Sequence, residues 1–284
     1  MPNDTVFIAS VRSPWEHFKS TYNYFAIGEI GEVPNEDIRT YLNNISFYND
    51  IYMSSEKNAR RWCIPDGFSI TKNLQAHCLG LPVGFPNKDM DISNDTGAIE
   101  KHIADIAEDF GMVIVVDYFA ESLVLLKRTM CWSFKDIIYH HSNAGNYKSG
   151  SMKHLKPEGP LFEVYRKWSN ADFILFEHFN NTLWKKIRAE GPDIYDEIEQ
   201  FRLIQMLTER FCFVENMWQQ RESFLTIPRS KFDASFNITG EDCALMNTYM
   251  LPMLWAKFYE QEGIEPEDLG DVQQRPRPQK GCSI

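Results

Sequence analysis

Val6–Phe25, with the sequence VFIASVRSPWEHFKSTYNYF, joins an apolar run directly to a helical pattern and decides the fold. The run Thr5–Val11 is short and contains β-branched residues, which indicates a buried strand. Ser13 is then predicted to be an N-cap, Pro14 occupies the first helical position, and Glu16 completes a capping box. A strand followed at once by a helix start is a junction at which anions can bind.

The helix, predicted to end near residue 25, has one apolar side. At about 100° per residue its aromatic side chains form a single stripe. The stripe consists of Trp15, Phe18, Tyr22 and Phe25. Ser20 lies roughly 140° from Trp15 and close to the direction of Ser13. Ser20 is therefore predicted to point away from the core, on the side that carries the helix cap.

Arg12 and Ser20 are the candidate ligands of a phosphate. A helix N-terminus offers N–H groups without intrahelical partners and a partial positive charge. The guanidinium of Arg12 adds a forked, permanently charged donor. An arginine and a serine at this junction can converge on one phosphate. The ordinary alternative is that Arg12 is solvated at a strand end and that Ser20 bonds water or backbone.

Further along the chain, helical and strand patterns alternate. Thr96–Asp109 is amphipathic and predicts a helix, Met112–Val116 predicts a buried strand, and Glu121–Met130 predicts another helix. This order predicts an α/β fold with a mainly parallel sheet flanked by helices. Residues 1–262 are expected to form one domain. Residues 263–284, which are rich in Glu, Pro, Gln and Arg, are expected to form a flexible C-terminal tail.

The remaining long segments are less regular in pattern. Pro157–Ile187 and Ile194–Phe213 are predicted to be helical. Residues 60–95 are rich in Gly, Pro, Asn and Asp and predict a long loop region.

Composition excludes several classes of function. The 284 residues carry a net charge of −11 and no cluster of Lys and Arg. This balance argues against nucleic acid or heparin as a partner and favours a neutral sugar or small molecule. The six cysteines form no CxxC pair, so no zinc site is predicted. No apolar run approaches the roughly 18 residues of a membrane span, and five N-x-S/T sequons permit a secretory protein without establishing one.

The junction resembles the 3′-phosphate-binding motif of sulfotransferases, which runs Arg-Asp/Asn-Pro, then Ser, then aromatic residues. The matching residues are Arg12-Ser13-Pro14, Ser20 and Tyr22-Asn23-Tyr24-Phe25. Three further blocks are similar to the galactose-3-O-sulfotransferase family. They are Thr71-Lys72-Asn73-Leu74 with Gly80-Leu81-Pro82, Asp117–Leu126 (DYFAESLVLL) with Cys131-Trp132, and Trp168-Ser169-Asn170-Ala171-Asp172 with His178–Trp184 (HFNNTLW). The resemblance covers roughly residues 1–190.

The resemblance implies a type II Golgi membrane enzyme with its catalytic domain in the lumen and a P-loop-like sulfotransferase fold. Such an enzyme takes sulfate from 3′-phosphoadenosine 5′-phosphosulfate (PAPS), without a metal. It places the sulfate on the 3-hydroxyl of galactose in a glycolipid such as galactosylceramide or in a glycoprotein glycan. By the same resemblance Arg12 and Ser20 hold the 3′-phosphate of the donor, and Lys72 and Asn73 contact the acceptor sugar.

Parts of the family pattern are absent from the 284 residues. The missing parts are the Lys-Thr-His-Lys-x-Gly-Ser-Ser loop that binds the 5′-phosphosulfate, the His-rich stretch after it and the membrane anchor. Asn143–Gly150 does not replace the loop, because it lacks the Gly-Lys-Ser/Thr ending. We therefore expect a fold without its N-terminal strand–loop–helix, catalytic residues upstream of Met1, and no activity from this chain alone. Ser13 also replaces the usual Asp or Asn.

Two pairs of residues that could suggest a metal site or acid–base chemistry have simpler interpretations. His140 and His141 are adjacent and point in different directions, so they are not expected to share a metal. Asp117 and Glu121 form either a carboxylate pair for acid–base chemistry or helix caps, and capping is the preferred interpretation.

Three competing functions stay open at this point. The first is a non-catalytic sulfotransferase-like binding domain, with which the missing loop is consistent. The second is a sulfotransferase for another glycan acceptor, although the acidic composition argues against a polyanionic one. The third is an unrelated α/β nucleotide hydrolase, for which the sequence contains no supporting motif.

Overall fold

A computed structural model of the chain describes residues 6–54, 64, 67–85, 90–141, 152 and 154–247. The fold is mixed α/β, with a small parallel sheet and many helices. In chain order the elements are β1 (Phe7–Val11), α1 (Pro14–Tyr24), α2 (Ile27–Ile30), α3 (Ile38–Asn43), α4 (Ile45–Ser54), α5 (Leu74–Cys78), α6 (Thr96–Asp109), β2 (Phe110–Val115), α7 (Phe119–Met130), α8 (Phe134–Ile137), α9 (Pro160–Trp168), α10 (Asn170–Ala189), α11 (Asp193–Glu209), β3 (Phe224–Ile227), β4 (Phe236–Thr239) and α12 (Gly240–Asn247).

The described residues fall into two compact units. The first contains residues 6–122 and 152–186, and the second contains residues 123–141 and 187–247. The expectation of a single domain over residues 1–262 stays a prediction. The predicted tail at 263–284 lies outside the described residues.

The sheet of the first unit is a parallel pair of strands. Val11 at the end of β1 lies opposite Val115 at the end of β2, so the predicted parallel pairing is confirmed for these strands. The prediction that β1 is buried along its length is wrong. Val11 is 1% exposed, but Phe7 is 47% and Ile8 is 40% exposed. Within the described ranges β1 pairs with β2 alone, and a strand needs cover on both faces to be buried throughout.

The core of the first unit contains the predicted aromatic stripe of α1. Trp15, Phe18 and Tyr22 are all buried, and the ring of Phe18 stacks on Tyr165 with centroids 4.2 Å apart. The indole N–H of Trp15 donates to the backbone oxygen of Leu155 at 3.2 Å. Buried aromatic rings contribute most of the stabilisation that a helix gains by packing against a core. The stripe thus fixes which side of α1 faces away from the core.

The second unit contains an antiparallel pair, β3 and β4, which the sequence analysis did not predict. The expectation of mainly parallel strands therefore holds for β1 and β2 and not for this pair. Phe134 and Phe201 stack in the core with centroids 6.0 Å apart, and a disulfide joins Cys212 to Cys243.

A buried ion pair also lies in the second unit. The Lys127 ammonium is 2.9 Å from Oε1 of Glu197, and both side chains are almost fully buried. Arg128 donates from Nε to the other oxygen of Glu197 at 2.6 Å and reaches Asp193 at 2.7 Å. One carboxylate thus binds two cations, which compensates for its removal from water.

Over the ranges that the structure describes, none of the helices has the length and apolar character needed to cross a membrane.

Candidate functional site

The backbone of Arg12 is held from both sides by one side chain. Its N–H donates to Oε1 of Gln75 at 2.7 Å, and its carbonyl oxygen accepts from Nε2 of Gln75 at 2.9 Å. Arg12 follows β1 directly and lies two residues before α1. The residue is half-buried. The backbone of Arg12 is therefore held in place at the junction where the sequence predicts an anion site.

His17 lies on α1, five residues after Arg12, and is half-buried. Burial lowers the pKa of His17, and the positive charge of Arg12 lowers it further, to about 4. At neutral pH His17 is therefore uncharged.

Ser20 lies on the same side of α1 as His17. The two residues are three positions apart, and helix geometry places them within about 60° of each other. Ser20 is half-buried, whereas Trp15 and Phe18 on the opposite stripe are 1% exposed. The Ser20 hydroxyl therefore lies on the side of α1 away from the aromatic core. That Ser20 and Arg12 bind one phosphate stays a prediction.

The predicted capping box at the start of α1 is wrong. The side chain of Ser13 makes no capping hydrogen bond, and the Ser13 N–H donates to Oδ2 of Asp117 at 2.7 Å. Glu16 instead pairs with Lys19 at 2.6 Å. The physical reason is that the residues between β2 and α7 bring a carboxylate to the helix start, where it binds the N–H that Glu16 was expected to bind.

This contact supports the capping interpretation of Asp117. The carboxylate caps α1, as the sequence analysis preferred. The Ser13 N–H is therefore not available to a phosphate at the junction. The side chains of Arg12 and Ser20 are the donors that the sequence predicts for an anion here.

Asn73 has structural partners in the fold. It is 1% exposed and has a left-handed φ of 54°. Its N–H donates to Oγ of Ser169 at 2.9 Å, and its Oδ1 accepts from the N–H of Ala171 at 3.0 Å. Asn73 thus ties the start of α5 to the start of α10, and its contact with an acceptor sugar stays a prediction.

Lys72 lies beside an aromatic ring. Its ammonium is 5.6 Å from the centroid of the Trp168 ring, within the range of a cation–π contact. The indole N–H of Trp168 donates to Oγ1 of Thr71 at 3.2 Å. Lys72 is half-buried, and its predicted contact with a sugar also stays a prediction.

Asp172 on α10 binds the N-terminus of α5. Its Oδ1 accepts from the N–H of Ala76 at 2.8 Å, and its Oδ2 accepts from the N–H of Gln75 at 3.4 Å and from Oγ of Ser169 at 3.3 Å. Asp172 is 1% exposed. Burial raises its pKa to about 6, although the N–H donors at the start of α5 act in the opposite direction.

These contacts connect parts of the chain that are far apart in sequence. Gln75 and Arg12 are 63 residues apart, and Gln75 and Asp172 are 97 apart. Hydrogen bonds therefore join four separate blocks of the sequence around the β1–α1 junction. The blocks are the Arg12–Pro14 motif, the segment after Thr71, the Asp117 block and the Trp168–Asp172 block. The blocks that resemble one family in sequence are thus neighbours in the fold.

Sequence reasoning missed Gln75 and His17. Gln75 lies in the predicted loop region, and its role depends on contacts that no local pattern reports. His17 could have been found, because helix periodicity places it on the side of α1 that carries Ser13 and Ser20.

The histidine pair has ordinary surroundings. His140 Nδ1 is 3.5 Å from a carboxylate oxygen of Glu209, and its ring lies 3.7 Å from that of Phe213. Within the described part of the chain, no three His, Cys, Asp or Glu side chains are grouped so that they could hold a metal ion.

The chain is similar in sequence to known sulfotransferases. A family model described as Galactose-3-O-sulfotransferase matches residues 1–224. Galactose-3-O-sulfotransferase 3 of Mus musculus is 27% identical over 75% of this chain and 46% of its own length. Galactosylceramide sulfotransferase of Bos taurus is 27% identical over 74% and 45%. Galactose-3-O-sulfotransferase 2 of Homo sapiens is 28% identical over 81% and 52%.

The chain therefore spans about half the length of the curated relatives it matches. No solved structure was found to match it significantly.

Proposed function

Because the chain belongs to the galactose-3-O-sulfotransferase family, we propose that it is part of a carbohydrate sulfotransferase. The full protein transfers sulfate from PAPS to the 3-hydroxyl of galactose in a glycolipid such as galactosylceramide or in a glycoprotein glycan. The observation that carries this proposal is the β1–α1 junction, where Gln75 bonds both backbone groups of Arg12 and Ser20 lies on the side of α1 away from its buried aromatic stripe.

The residues at the junction suit one end of the donor. In this proposal the guanidinium of Arg12 and the hydroxyl of Ser20 donate to oxygens of the 3′-phosphate, and a charge-assisted bond of this type is stronger than a neutral one. PAPS supplies the sulfuryl group and, after transfer, leaves as adenosine 3′,5′-bisphosphate. The part of the chain described here anchors the donor so that its reactive end is positioned for an acceptor hydroxyl.

We propose that the 284 residues bind the donor without transferring sulfate. The reason is that the loop expected to hold the 5′-phosphosulfate does not occur in the sequence. The parallel β1–β2 pair with a helix after β1 supports a P-loop-like arrangement. Sulfate transfer to galactosylceramide by the purified chain would contradict this part of the proposal.

The proposed location is the Golgi lumen, with the full protein attached to the membrane by an anchor. Two features support it. Cys212 and Cys243 form a disulfide, and such bonds persist in oxidising compartments. The sequons in the sequence are compatible with passage through the secretory pathway.

The binding of two nucleotides tests the proposal. We expect adenosine 3′,5′-bisphosphate to bind more tightly than adenosine 5′-monophosphate in isothermal titration calorimetry, because only the first carries a 3′-phosphate. Arg12→Ala should lower the affinity for the bisphosphate by about 10- to 100-fold, and Ser20→Ala should lower it by about 3- to 10-fold. Both variants should leave binding of the monophosphate within about twofold, since it lacks the group that these side chains bind.

The matched control is Arg39→Ala. Arg39 is an exposed arginine on α3 of the same unit, so its removal changes the net charge equally without touching the junction. Equal affinity for the two nucleotides, or an equal loss in Arg12→Ala and Arg39→Ala, would show that no 3′-phosphate site exists at Arg12.

A further inference from the structure

Gln75 pairs with the backbone of Arg12 as a neighbouring strand would. It accepts from the Arg12 N–H at 2.7 Å and donates to the Arg12 carbonyl at 2.9 Å. Both backbone groups of a residue at a strand end are thereby satisfied by one half-buried side chain. Two bonds to a single residue restrict its φ and ψ, and these angles set the direction in which the Arg12 side chain leaves the backbone.

Gln75 is itself held by a buried carboxylate. Its N–H donates to Oδ2 of Asp172 at 3.4 Å, and the next N–H, of Ala76, donates to Oδ1 at 2.8 Å. The Ser169 hydroxyl donates to Oδ2 of the same carboxylate at 3.3 Å. The five-residue helix α5 is therefore fixed at its N-terminus by α10, and its second residue reaches Arg12.

We infer that Gln75 is a positioning residue for the 3′-phosphate site, acting through the Arg12 backbone and itself oriented by Asp172. The inference rests on the proposed function, because it assigns to Gln75 a role in a site that Arg12 forms. An arginine side chain is long and has many rotamers, and fixing its origin lowers the entropy lost when it binds a ligand. Gln75 makes no contact with the phosphate in this scheme.

The alternative is that Gln75 only satisfies two backbone groups next to a strand. That role predicts a loss of stability when Gln75 is replaced, with no effect on one nucleotide more than another. The positioning role predicts a loss that is specific to the 3′-phosphate and that requires Arg12.

A double-mutant cycle separates these roles. The four proteins are the wild type, Gln75→Met, Arg12→Ala and the double variant, each titrated with adenosine 3′,5′-bisphosphate and adenosine 5′-monophosphate. Methionine has a similar length and removes both hydrogen bonds. We expect Gln75→Met to lower the affinity for the bisphosphate by about tenfold and the affinity for the monophosphate by less than about twofold. In the Arg12→Ala background Gln75→Met should have no further effect, because Gln75 acts only through Arg12.

The second unit supplies a matched control. Gln205 on α11 bonds both backbone groups of Tyr139, accepting from its N–H at 3.3 Å and donating to its carbonyl at 2.5 Å. Gln205→Met thus breaks a clamp of the same type at a residue without a proposed ligand. This variant should leave the affinity for the bisphosphate unchanged.

Each outcome has a defined meaning. If Arg12→Ala does not weaken the bisphosphate, the proposed function fails, and the inference fails with it. The positioning role is wrong, while the proposed function stands, in two cases. In the first, Arg12→Ala lowers the affinity for the bisphosphate and Gln75→Met does not. In the second, both lower the affinity and their effects add in the double variant. Should Gln75→Met show no cooperative thermal unfolding, Gln75→Glu replaces it, because glutamate keeps the acceptor for the Arg12 N–H and loses the donor. The same cycle and the same criteria then apply.

Discussion

At the scale of single residues, the site combines one cation, one neutral imidazole and one hydroxyl. Arg12 supplies the positive charge, and His17 is held neutral mainly by burial. Asp117 brings a negative charge to the start of α1 and bonds the Ser13 N–H. The Ser13 N–H is therefore already bonded, and the proposed site depends on the side chains of Arg12 and Ser20.

The titration of His17 tests whether the Arg12 charge lies beside it. In the wild type we expect a pKa of about 4 for His17, measured from imidazole resonances by NMR. Arg12→Ala should raise that pKa but leave it below the usual value near 6.5, because burial is the larger cause and remains. His77, whose pKa is lowered by burial alone, should not respond. An unchanged His17 pKa in Arg12→Ala would place the guanidinium elsewhere.

At the scale of elements, sequence patterns predicted the long helices and missed the contacts between elements. The bounds of α6 agree with the amphipathic pattern at both ends, and α1 ends within one residue of the prediction. By contrast α5 was not predicted. It has five residues, begins after Asn73 in a left-handed conformation, and depends on the distant Asp172 for its N-terminal hydrogen bonds.

The candidate site was predictable to the same extent. Arg12 and Ser20 follow from a local strand–helix pattern and from helix periodicity, which a single sequence contains. The clamp from Gln75 and the cap from Asp117 join residues 63 and 104 positions apart. Such pairings depend on tertiary packing, so no local pattern reports them.

The buried carboxylate on α10 should make stability depend on pH. Its pKa in the folded chain is raised to about 6, above the value near 3.9 of an unfolded aspartate. The folded state therefore holds a proton that the unfolded state has lost. The stabilisation from Asp172 is fully present below about pH 4 and is lost as the pH rises through 6.

The measurement compares urea unfolding of the wild type and Asp172→Asn at pH 4 and pH 7. We expect the wild type to lose about 2 kcal/mol of unfolding free energy relative to the variant over this range. His17 contributes with the opposite sign, since its stabilisation is lost as the pH falls from 6.5 towards 4, but it is present in both proteins and cancels in the comparison. A difference that does not change with pH would contradict a raised pKa for Asp172.

At the scale of the whole molecule, the family match and the two units end at different places. The match covers residues 1–224, whereas the second unit continues through β3, β4 and α12. The disulfide joins Cys212, inside the matched range, to Cys243, beyond it. The cross-link thus ties α12 to the residues that follow α11 within the second unit.

Breaking this cross-link should destabilise the second unit. The two cysteines are 31 residues apart, and a loop of that length corresponds to about 3 to 4 kcal/mol in the chain-entropy account. We expect Cys243→Ser to lower the unfolding free energy by about that amount in guanidinium denaturation. The control is Cys131→Ser, which removes an exposed free thiol. Equal stability of Cys243→Ser and the wild type would show that the bond does not form or does not constrain the fold.

The central claim is that Arg12 and Ser20 bind one phosphate at the β1–α1 junction. A crystal structure of the 284-residue chain with adenosine 3′,5′-bisphosphate tests it most directly. The prediction is that oxygens of the 3′-phosphate lie about 3 Å from the Arg12 guanidinium and from Oγ of Ser20, with Gln75 still bonded to the Arg12 backbone. A nucleotide bound with its 3′-phosphate away from both side chains would contradict the account.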